Sequence, residues 1–369
     1  MRILTVVGNR PQFVKAAAVS RPLRARHDEV LVHTGQHHDD ALSAVFFREL
    51  DLPTPDHELA LGGGSNLAQT ARMIEALEPL VEGIAPDAML VYGDTNSTLA
   101  GALVAADRQV PLVHVEAGMR SFDRRMPEER NRVVTDHLSA LLLVPTGTAT
   151  RNLAAEGIAG DRVVDVGDVM TDVTLQVHPR ARDRATAWLA ERDLTPGGYV
   201  LVTTHRAGNV DTAERLGALV DLLRAVGTPE RPVVLPLHPR TAARLDEHGL
   251  RGRLLGGTGA GEGDGAVRLL EPAGPLDFAT LLVGADRVLT DSGGVQKEAY
   301  LAGVPCVTLR DTTEWTETVE VGWNALVDLD ADAAVAALAR PTPTGRPEIF
   351  GDGRAGERVV TAIEAALGG

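Results

Sequence analysis

The sequence has one cysteine in 369 residues, few aromatic residues, no long apolar run and no excess of positive charge. A lone cysteine, Cys306, excludes an internal disulfide framework and is typical of a cytoplasmic protein. No apolar run reaches the ~18 residues of a membrane span, and the N-terminus reads as a strand and loop rather than a signal peptide. The formal net charge of -15 argues against a nucleic-acid partner, which would need a basic face.

The sequence does contain a sustained alternation of short β-rich runs with helical stretches. The first series of apolar runs falls at residues 2–7, 29–35, 88–94, 111–118 and 162–168. The second series falls at residues 199–205, 232–238, 266–271, 286–291 and 305–309. Strands alternating with helices predict βαβ units and a parallel sheet. We therefore expect an α/β protein with two doubly wound, Rossmann-like domains, joined near residue 170 and facing a central cleft.

Two glycine-containing segments are predicted to connect structured parts of the chain. The segment "GDVMTDV" near residue 170 has short side chains and is expected to act as a hinge between the domains. The segment "GGTGAGEGDGA", residues 256–266, lacks the Gly-Lys-Ser/Thr ending of a phosphate-binding P-loop and predicts a surface loop.

Polar residues collect where the predicted strands end, in both halves of the chain. Ligands of doubly wound sheets bind beyond the carboxyl ends of the strands. The candidate site residues are Arg10, Lys15, Asp94, Glu116, Glu128, His205, Arg206, His238, Ser292 and Glu298. Taken singly, some have a structural alternative: Asp94 could cap a helix, Glu128 could complement a helix dipole, and Lys15 could be solvated. Their joint placement indicates a functional site.

The stretch "LTDSGGVQKEA", residues 289–299, joins a predicted strand to a predicted helix through two glycines. Gly293 and Gly294 leave backbone N–H groups bare at the helix N-terminus, where the dipole favours an anion. The alternative is a tight turn with Ser292 as an ordinary helix cap.

The chain resembles the non-hydrolysing UDP-N-acetylglucosamine 2-epimerases. The resemblance rests on ordered motifs that run from residue 8 to about residue 327: "GNRPQFVK", "GDTNST", "HVEAGMRS", "MPEERNR", "THRAGN", "TDSGGVQKEA" and "TLRDTTEWTETVEVGWN". It implies a GT-B fold in which the C-terminal helix returns to the N-terminal domain. The expected domains are residues 1–168 with 352–369, and residues 169–351.

The resemblance also implies roles for particular residues. Asp94, Glu116 and Glu128 are the catalytic carboxylates, not divided into base and acid, and His205 is a further catalytic residue. Arg10, Lys15 and His205 stabilise the diphosphate, which Ser292, Gly293 and Gly294 hold. Glu298 binds the ribose and Phe278 lies against the uracil, while Arg206 and His238 are expected to contact the substrate.

The implied reaction inverts C2 of UDP-N-acetylglucosamine to give UDP-N-acetylmannosamine. UDP is eliminated and added back to a 2-acetamidoglucal intermediate. Neither step needs a metal or a nicotinamide, so we expect no cofactor. The sequence has no clustered Cys/His ligands and no G-x-G-x-x-G after the first strand. The expected partners are a UDP-sugar and a second copy of the chain, with no nucleic acid and no membrane.

Three departures from the family pattern stand out. Gly208 occupies the position of a usual glutamate after "HR". The segment "TGQHHDDALS", residues 34–43, matches poorly the segment through which bacterial members bind a second, regulatory UDP-sugar. The segment between Arg120 and Pro127 is short, as in the archaeal branch.

Three other functions remain open at this stage. A GT-B glycosyltransferase would share the fold and the nucleotide site, but should have an acceptor groove and fewer carboxylates. A hydrolysing epimerase would release free N-acetylmannosamine and UDP. A nucleotide-sugar sensor would have no reason to hold three acidic groups against an anionic ligand.

Overall fold

The computed structural model describes residues 1–36, 52–256 and 263–368. Its strands are β1 (Arg2–Val7), β2 (Asp28–His33), β3 (His57–Glu58), β4 (Ala88–Tyr92), β5 (Leu112–Val115), β6 (Leu141–Val144), β7 (Val163–Asp165), β8 (Val200–Thr203), β9 (Val233–Pro236), β10 (Val267–Leu270), β11 (Arg287–Thr290), β12 (Cys306–Thr308) and β13 (Asn324–Leu326). Both series of predicted strands are therefore present, and β3, β6 and β13 are strands that the sequence pattern missed.

The helices in the described part of the chain are α1 (Arg10–Arg24), α2 (Asn66–Ile84), α3 (Asn96–Asp107), α4 (Pro127–Leu138), α5 (Gly147–Ala155), α6 (Val169–Ala190), α7 (Ala207–Val210), α8 (Ala213–Val226), α9 (Pro239–Glu247), α10 (Arg251–Leu255), α11 (Pro275–Gly284), α12 (Gly293–Ala302), α13 (Thr316–Glu320), α14 (Ala331–Leu338) and α15 (Ala355–Leu367). Local signals start several of them. Asn9 caps α1 by accepting the N–H of Gln12 at 3.2 Å, and Pro11 stands in its first turn.

Among the described residues, the strands form two parallel sheets, of seven and six strands. The strand orders are β3-β2-β1-β4-β5-β6-β7 and β10-β9-β8-β11-β12-β13. Strand β4 is apolar and buried along its whole length, and β1 is buried after its first residue, because helices cover both faces of the sheet. The predicted α/β fold with two doubly wound sheets is confirmed.

The chain divides into two compact units, Met1–Leu175 with Glu348–Gly369, and Gln176–Pro347. The division falls inside helix α6. Pro179 lacks the N–H that would bond to the carbonyl of Leu175, so the helix loses a hydrogen bond at this point. The segment "GDVMTDV", predicted to be a hinge, supplies the first turn of this helix from Val169 onward.

The C-terminal helix α15 packs against α1 in the first unit. Its first N–H groups are held by Asp172 of α6, whose carboxylate accepts from Ala355 at 3.0 Å and from Gly356 at 2.7 Å. Burial raises the pKa of Asp172, against the lowering effect of these two backbone hydrogen bonds. The close approach of the two helices depends on Gly356, because an added Cβ would lie 2.1 Å from the carbonyl oxygen of Ala18.

Each sheet has one point at which the strand order reverses, and ligands of doubly wound folds bind there. In the first sheet this point lies between β1 and β4, and in the second between β8 and β11. The turn after β1 requires a glycine, since a Cβ on Gly8 would lie 2.0 Å from the Ser97 hydroxyl and 2.4 Å from that of Thr34. Predicted site residues follow the strands at both points.

Candidate active site

Asp94 follows β4 and forms an ion pair with Arg132 of α4, at 2.5 Å. The same helix supplies Asn131, whose amide donates to the backbone carbonyl of Asp94 at 3.0 Å. The helix-cap alternative for Asp94 is wrong, because the neighbouring Thr95 caps α3 with its own side chain. The Asp94 carboxylate is about one-third exposed, at 34%, so it remains accessible to a ligand.

Glu116 follows β5 and forms a buried ion pair with Lys15 of α1. The solvated alternative for Lys15 is therefore wrong. Glu116 has a φ of +68°, a left-handed conformation that is costly for a residue with a side chain. Gly93 makes room for the pair: a Cβ there would lie 2.8 Å from the Lys15 ammonium and 3.4 Å from the Glu116 carboxylate.

The two glutamates at the start of α4 have different environments. Glu128 is exposed in the first turn of the helix, where an acidic side chain also complements the dipole. Glu129 is buried and accepts hydrogen bonds from the backbone N–H groups of Ser121 at 2.9 Å and Phe122 at 3.0 Å. Glu129 thus fixes the preceding loop, and Glu128 is the one left exposed to solvent.

In the second unit, His205 follows β8 and is held by a buried carboxylate at the end of β11. Asp291 accepts the backbone N–H groups of His205 at 3.1 Å and Arg206 at 3.0 Å. It also accepts the hydroxyl of Thr204 at 2.9 Å and the amide of Asn209 at 3.3 Å. Asp291 therefore fixes the loop that presents His205.

The two predicted histidines of the second unit are neighbours. The rings of His205 and His238 stack with centroids 5.4 Å apart. His238 also caps helix α9, because its Nδ1 accepts the backbone N–H of Arg240 at 3.2 Å. Because Nδ1 of His238 accepts this hydrogen bond, it carries no proton, and the Nδ1 side of the ring faces the helix.

The N-terminus of α12 lacks the ordinary cap that was the alternative for Ser292. Ser292 occupies the N-cap position, but its side chain makes no capping hydrogen bond. A Cβ on Gly293 would contact Nε1 of Trp315 at 3.4 Å and a carboxylate oxygen of Glu314 at 3.6 Å. Glu314 is paired with Arg310 at 2.9 Å. Although burial opposes ionisation, the hydrogen bond and charge of Arg310 lower the pKa of Glu314 to about 2.

Glu298 and Phe278 lie on the helices that flank this region. Burial raises the pKa of Glu298 to about 7, and the nearby charge of Lys297 only partly offsets the effect. Phe278 is half-buried on α11, where it packs against the core on one face of the second sheet.

The raised pKa of Glu298 predicts a pH-dependent cost in stability. The folded state binds the proton more tightly than the unfolded state, so stability falls as pH rises from about 4.5 to about 7. The variant Glu298→Gln lacks this titration. It should be as stable as the parent at about pH 4 and more stable at about pH 8, by up to about 3 kcal/mol.

Urea unfolding at the two pH values measures this difference. Glu320→Gln, at an exposed position of the same unit, is the matched control and should show no such pH dependence. Equal stabilities of Glu298→Gln and the parent at about pH 8 would contradict the raised pKa of this carboxyl group.

Several residues that hold the candidate residues in place within each unit were not among the predicted site residues. Arg132, Glu129 and Asp291 were visible in the motifs as charged residues, but their sequence gave no sign of their partners. The side chain of Arg10 lies outside the described part of the structure, as do residues 37–43 of the segment "TGQHHDDALS" and residues 257–262 of the glycine-rich loop.

Metal-binding clusters and membrane-spanning helices would each indicate a class of protein. No group of His, Cys, Asp or Glu side chains in residues 1–36, 52–256 and 263–368 is arranged to hold a metal ion. Within the same residues, no helix combines the length and apolar character needed to cross a membrane.

Two doubly wound parallel sheets in separate units, with charged residues at both switch points, define a protein of the GT-B class. Residues 21–364 match the family UDP-N-acetylglucosamine 2-epimerase. The chain belongs to this family.

Individual relatives resemble the chain over nearly its whole length. UDP-N-acetylglucosamine 2-epimerase of Methanocaldococcus jannaschii is 39% identical and covers 98% of this chain and 99% of its own. UDP-2,3-diacetamido-2,3-dideoxy-D-glucuronate 2-epimerase of Pseudomonas aeruginosa is 43% identical, covering 97% and 98% respectively. The crystal structure of the M. jannaschii enzyme with UDP-GlcNAc and UDP superposes with a TM-score of 0.90 at 39% identity, covering 99% of this chain and 100% of that one. The suspected family resemblance is confirmed.

Proposed function

We propose that this protein interconverts UDP-N-acetylglucosamine and UDP-N-acetylmannosamine by eliminating UDP and adding it back to a 2-acetamidoglucal. The first step removes the proton from C2 while the C1–O bond breaks and its electrons leave with UDP. Protonation of C2 from the opposite face and return of UDP to C1 complete the inversion. The M. jannaschii structure with UDP-GlcNAc and UDP supports this choice of substrate.

One observation carries the proposal: Asp94 and Glu116 follow the adjacent strands β4 and β5, and each is paired with a buried cation. A carboxylate held in place by such a pair is a group that can accept or return a proton. General acids and bases of this kind each supply roughly 10²–10⁴-fold in rate. We propose that Glu128, which is exposed, is the third group that exchanges a proton.

The second unit supplies a set of groups suited to a nucleotide diphosphate. The N-terminus of α12 has a favourable dipole and lacks a side-chain cap, so we propose that it binds phosphate together with Ser292 and Gly294. We propose that His205 stabilises the departing UDP, with Arg206 and His238 near it. In this proposal Glu298 binds the ribose hydroxyls and Phe278 the uracil. A stability cost retained at Glu298 is consistent with a functional role.

Elimination explains why UDP must leave and return. C2 is not adjacent to a carbonyl, so a carbanion there would have no electron sink. The C1–O bond to UDP provides one, because the diphosphate is a good leaving group. The resulting enol ether is nucleophilic at C2 and accepts a proton from either face.

Incubation with UDP-N-acetylglucosamine in D₂O tests this function directly. Because the C2 proton is removed and replaced from solvent, deuterium should appear at C2 of both epimers while each remains attached to UDP. NMR of the unfractionated reaction mixture measures both the position of the label and the attachment of the sugar.

The same mixture distinguishes the other functions. Stoichiometric free N-acetylmannosamine and UDP would indicate the hydrolysing reaction. An absence of deuterium, with transfer of the sugar to an added acceptor, would indicate a glycosyltransferase. Tight binding of the nucleotide sugar without exchange or products would indicate a sensor.

A second candidate substrate is UDP-2,3-diacetamido-2,3-dideoxy-D-glucuronate. The relative named for that substrate is 43% identical, close to the 39% of the UDP-N-acetylglucosamine enzyme from M. jannaschii. The chemistry at C2 is the same, so the D₂O experiment applies without change. A higher kcat/KM for the diacetamido sugar would assign the protein to that substrate.

We also propose that the protein is a homodimer. Helices α2, α3 and α4 are neighbours that cover one face of the first sheet. They expose large apolar side chains: Leu67, Leu103, Val134 and Leu138. Burial of such side chains against a second copy would remove them from water. Light scattering should give twice the chain mass of 39.0 kDa, and a monomeric mass would contradict the proposal.

We propose a cytoplasmic location, which agrees with the presence of one cysteine in the sequence and with its burial as a free thiol. Burial raises the pKa of Cys306 to about 12, so this thiol is unreactive. Detection of the protein mainly in the periplasmic or membrane fraction of its cells would contradict this location.

A further inference from the structure

A buried histidine–aspartate pair lies beside the candidate residues of the first unit. His114 is on β5 and Asp136 is on α4, and both side chains are completely buried. Nδ1 of His114 lies 2.7 Å from Oδ1 of Asp136. Nε2 of the same ring lies 2.7 Å from the carbonyl oxygen of Gly93. The proposed reaction assigns no role to either side chain.

The partners of His114 determine how many protons its ring carries. A carbonyl oxygen has no proton, so Nε2 must donate to Gly93. Asp136 also accepts the backbone N–H of Gly118 at 3.1 Å and Nη1 of Arg120 at 2.7 Å. Burial acts to raise the pKa of Asp136, but the hydrogen bonds and charges of His114 and Arg120 outweigh it and lower the pKa. An ionised carboxylate cannot donate, so Nδ1 must donate as well.

We infer that His114 carries a proton on each ring nitrogen, and that His114 and Asp136 are positioning residues for the two turns that carry Asp94 and Glu116. Through His114 the pair holds the carbonyl of Gly93, immediately before Asp94. Through Asp136 it holds the N–H of Gly118, shortly after Glu116. The positioning role rests on the proposed function, because it presupposes that these two carboxylates act on the substrate.

The hydrogen bonds from Gly93 through His114 and Asp136 to Gly118 form a bridge between the two turns, and this bridge needs a proton on each ring nitrogen of His114. A neutral imidazole has one N–H, so it would donate to Gly93 or to Asp136 but not to both, leaving one buried acceptor without a donor. The left-handed backbone of Glu116, with its φ of +68°, needs neighbours that hold it in place. The bridge fixes the turn on each side of that residue.

The charges around the pair permit a buried imidazolium. Arg120 connects Asp136 to Glu156, to which it donates through Nε at 2.6 Å and Nη2 at 2.8 Å. Two cationic and two anionic side chains thus form one network in which each charge has an opposite neighbour. The Lys15–Glu116 ion pair lies against Gly93, the residue whose carbonyl His114 holds.

Nitrogen-15 NMR of the histidine-labelled protein tests the protonation state without reference to activity. The chain has 11 histidines. One of them should carry protons on both ring nitrogens at neutral pH, because Nδ1 and Nε2 of His114 both face hydrogen-bond acceptors. If every histidine is a neutral tautomer at neutral pH, the inference is overturned whether or not the protein is an epimerase.

The variant Asp136→Asn tests the positioning role. An asparagine side chain has only one oxygen and cannot accept from all three donors, so at least one hydrogen bond of the bridge should be lost. With wild-type epimerase activity established first, kcat should fall about 10–100-fold, since small displacements of catalytic groups have effects of this size. KM should stay within about threefold, because neither His114 nor Asp136 is among the proposed nucleotide-binding residues.

His137→Gln is the matched control, since His137 is the next residue on the same helix and its side chain is 50% exposed. It should leave kcat, KM and the NMR signal of the doubly protonated ring unchanged. A kcat of Asp136→Asn equal to that of the control would overturn the positioning role. If Asp136→Asn does not fold, the wild-type NMR spectrum alone decides whether the imidazolium exists.

Discussion

Replacing Glu116 by glutamine should lower the turnover of UDP-N-acetylglucosamine by roughly 10²–10⁴-fold. Glutamine keeps the size of the side chain and an oxygen that accepts from Lys15, but it cannot take a proton from C2. The affinity for UDP should change little, because Lys15, which is proposed to stabilise the diphosphate, keeps an oxygen partner in this variant. Turnover by coupled assay or NMR and UDP binding by calorimetry measure the two effects separately.

Glu75→Gln is the control for this prediction, because Glu75 is exposed on α2 of the same unit. It should leave turnover and UDP binding unchanged. Near-normal turnover of Glu116→Gln would show that Glu116 does not transfer a proton. Loss of UDP binding together with turnover would indicate that the ion pair with Lys15 is needed mainly to bind the nucleotide.

Replacing Gly356 by alanine should destabilise the first unit by about 3 kcal/mol, because overpacking of a rigid contact has costs of this order. The new Cβ would lie 2.1 Å from the carbonyl oxygen of Ala18 and 2.9 Å from its carbonyl carbon. Both atoms belong to the backbone of α1, which cannot move aside as a flexible side chain can. The N–H of Gly356 would also shift away from Asp172.

Thermal unfolding followed by circular dichroism measures this effect, with an expected fall in Tm of roughly 6–12 °C. Gly83→Ala on α2 is the matched control, because nothing lies within 4 Å of the new Cβ. That change should be neutral or slightly stabilising, since alanine is the better helix former. A Tm of Gly356→Ala equal to that of the control would show that α15 and α1 are packed less closely than the 2.1 Å approach of the new Cβ implies.

The fold class could be predicted from the sequence because its signals are local. A buried parallel strand is largely apolar, and such runs, as in β1 and β4, alternate with helical stretches throughout the chain. The strand β6, "LLLV", has the same character, although it was not predicted. The strand β13 has three residues and begins with the polar Asn324, so its sequence pattern is weak.

The positions of the candidate residues were also predictable, because polar side chains directly after apolar runs mark the strand ends. Their partners were not. Asp94 pairs with Arg132, although 38 residues separate them in the chain. The capping hydrogen bonds decided between alternatives that the sequence had left open. Thr95 rather than Asp94 caps α3, and the Ser292 side chain makes no capping hydrogen bond at α12.

The sequence by itself determined the two doubly wound sheets, the family and the strand ends at which charged residues collect, because each of these depends on periodicity or on a contiguous motif. Only the tertiary structure decided which carboxylates are accessible to a ligand and which already accept hydrogen bonds from the protein itself. Glu129 and Asp291 look like Glu128 and Asp94 in the sequence, yet both are buried and used to hold loops. The difference arises from contacts between segments far apart in the chain, such as Asp291 with Arg206 across 85 residues, and no local pattern encodes these contacts.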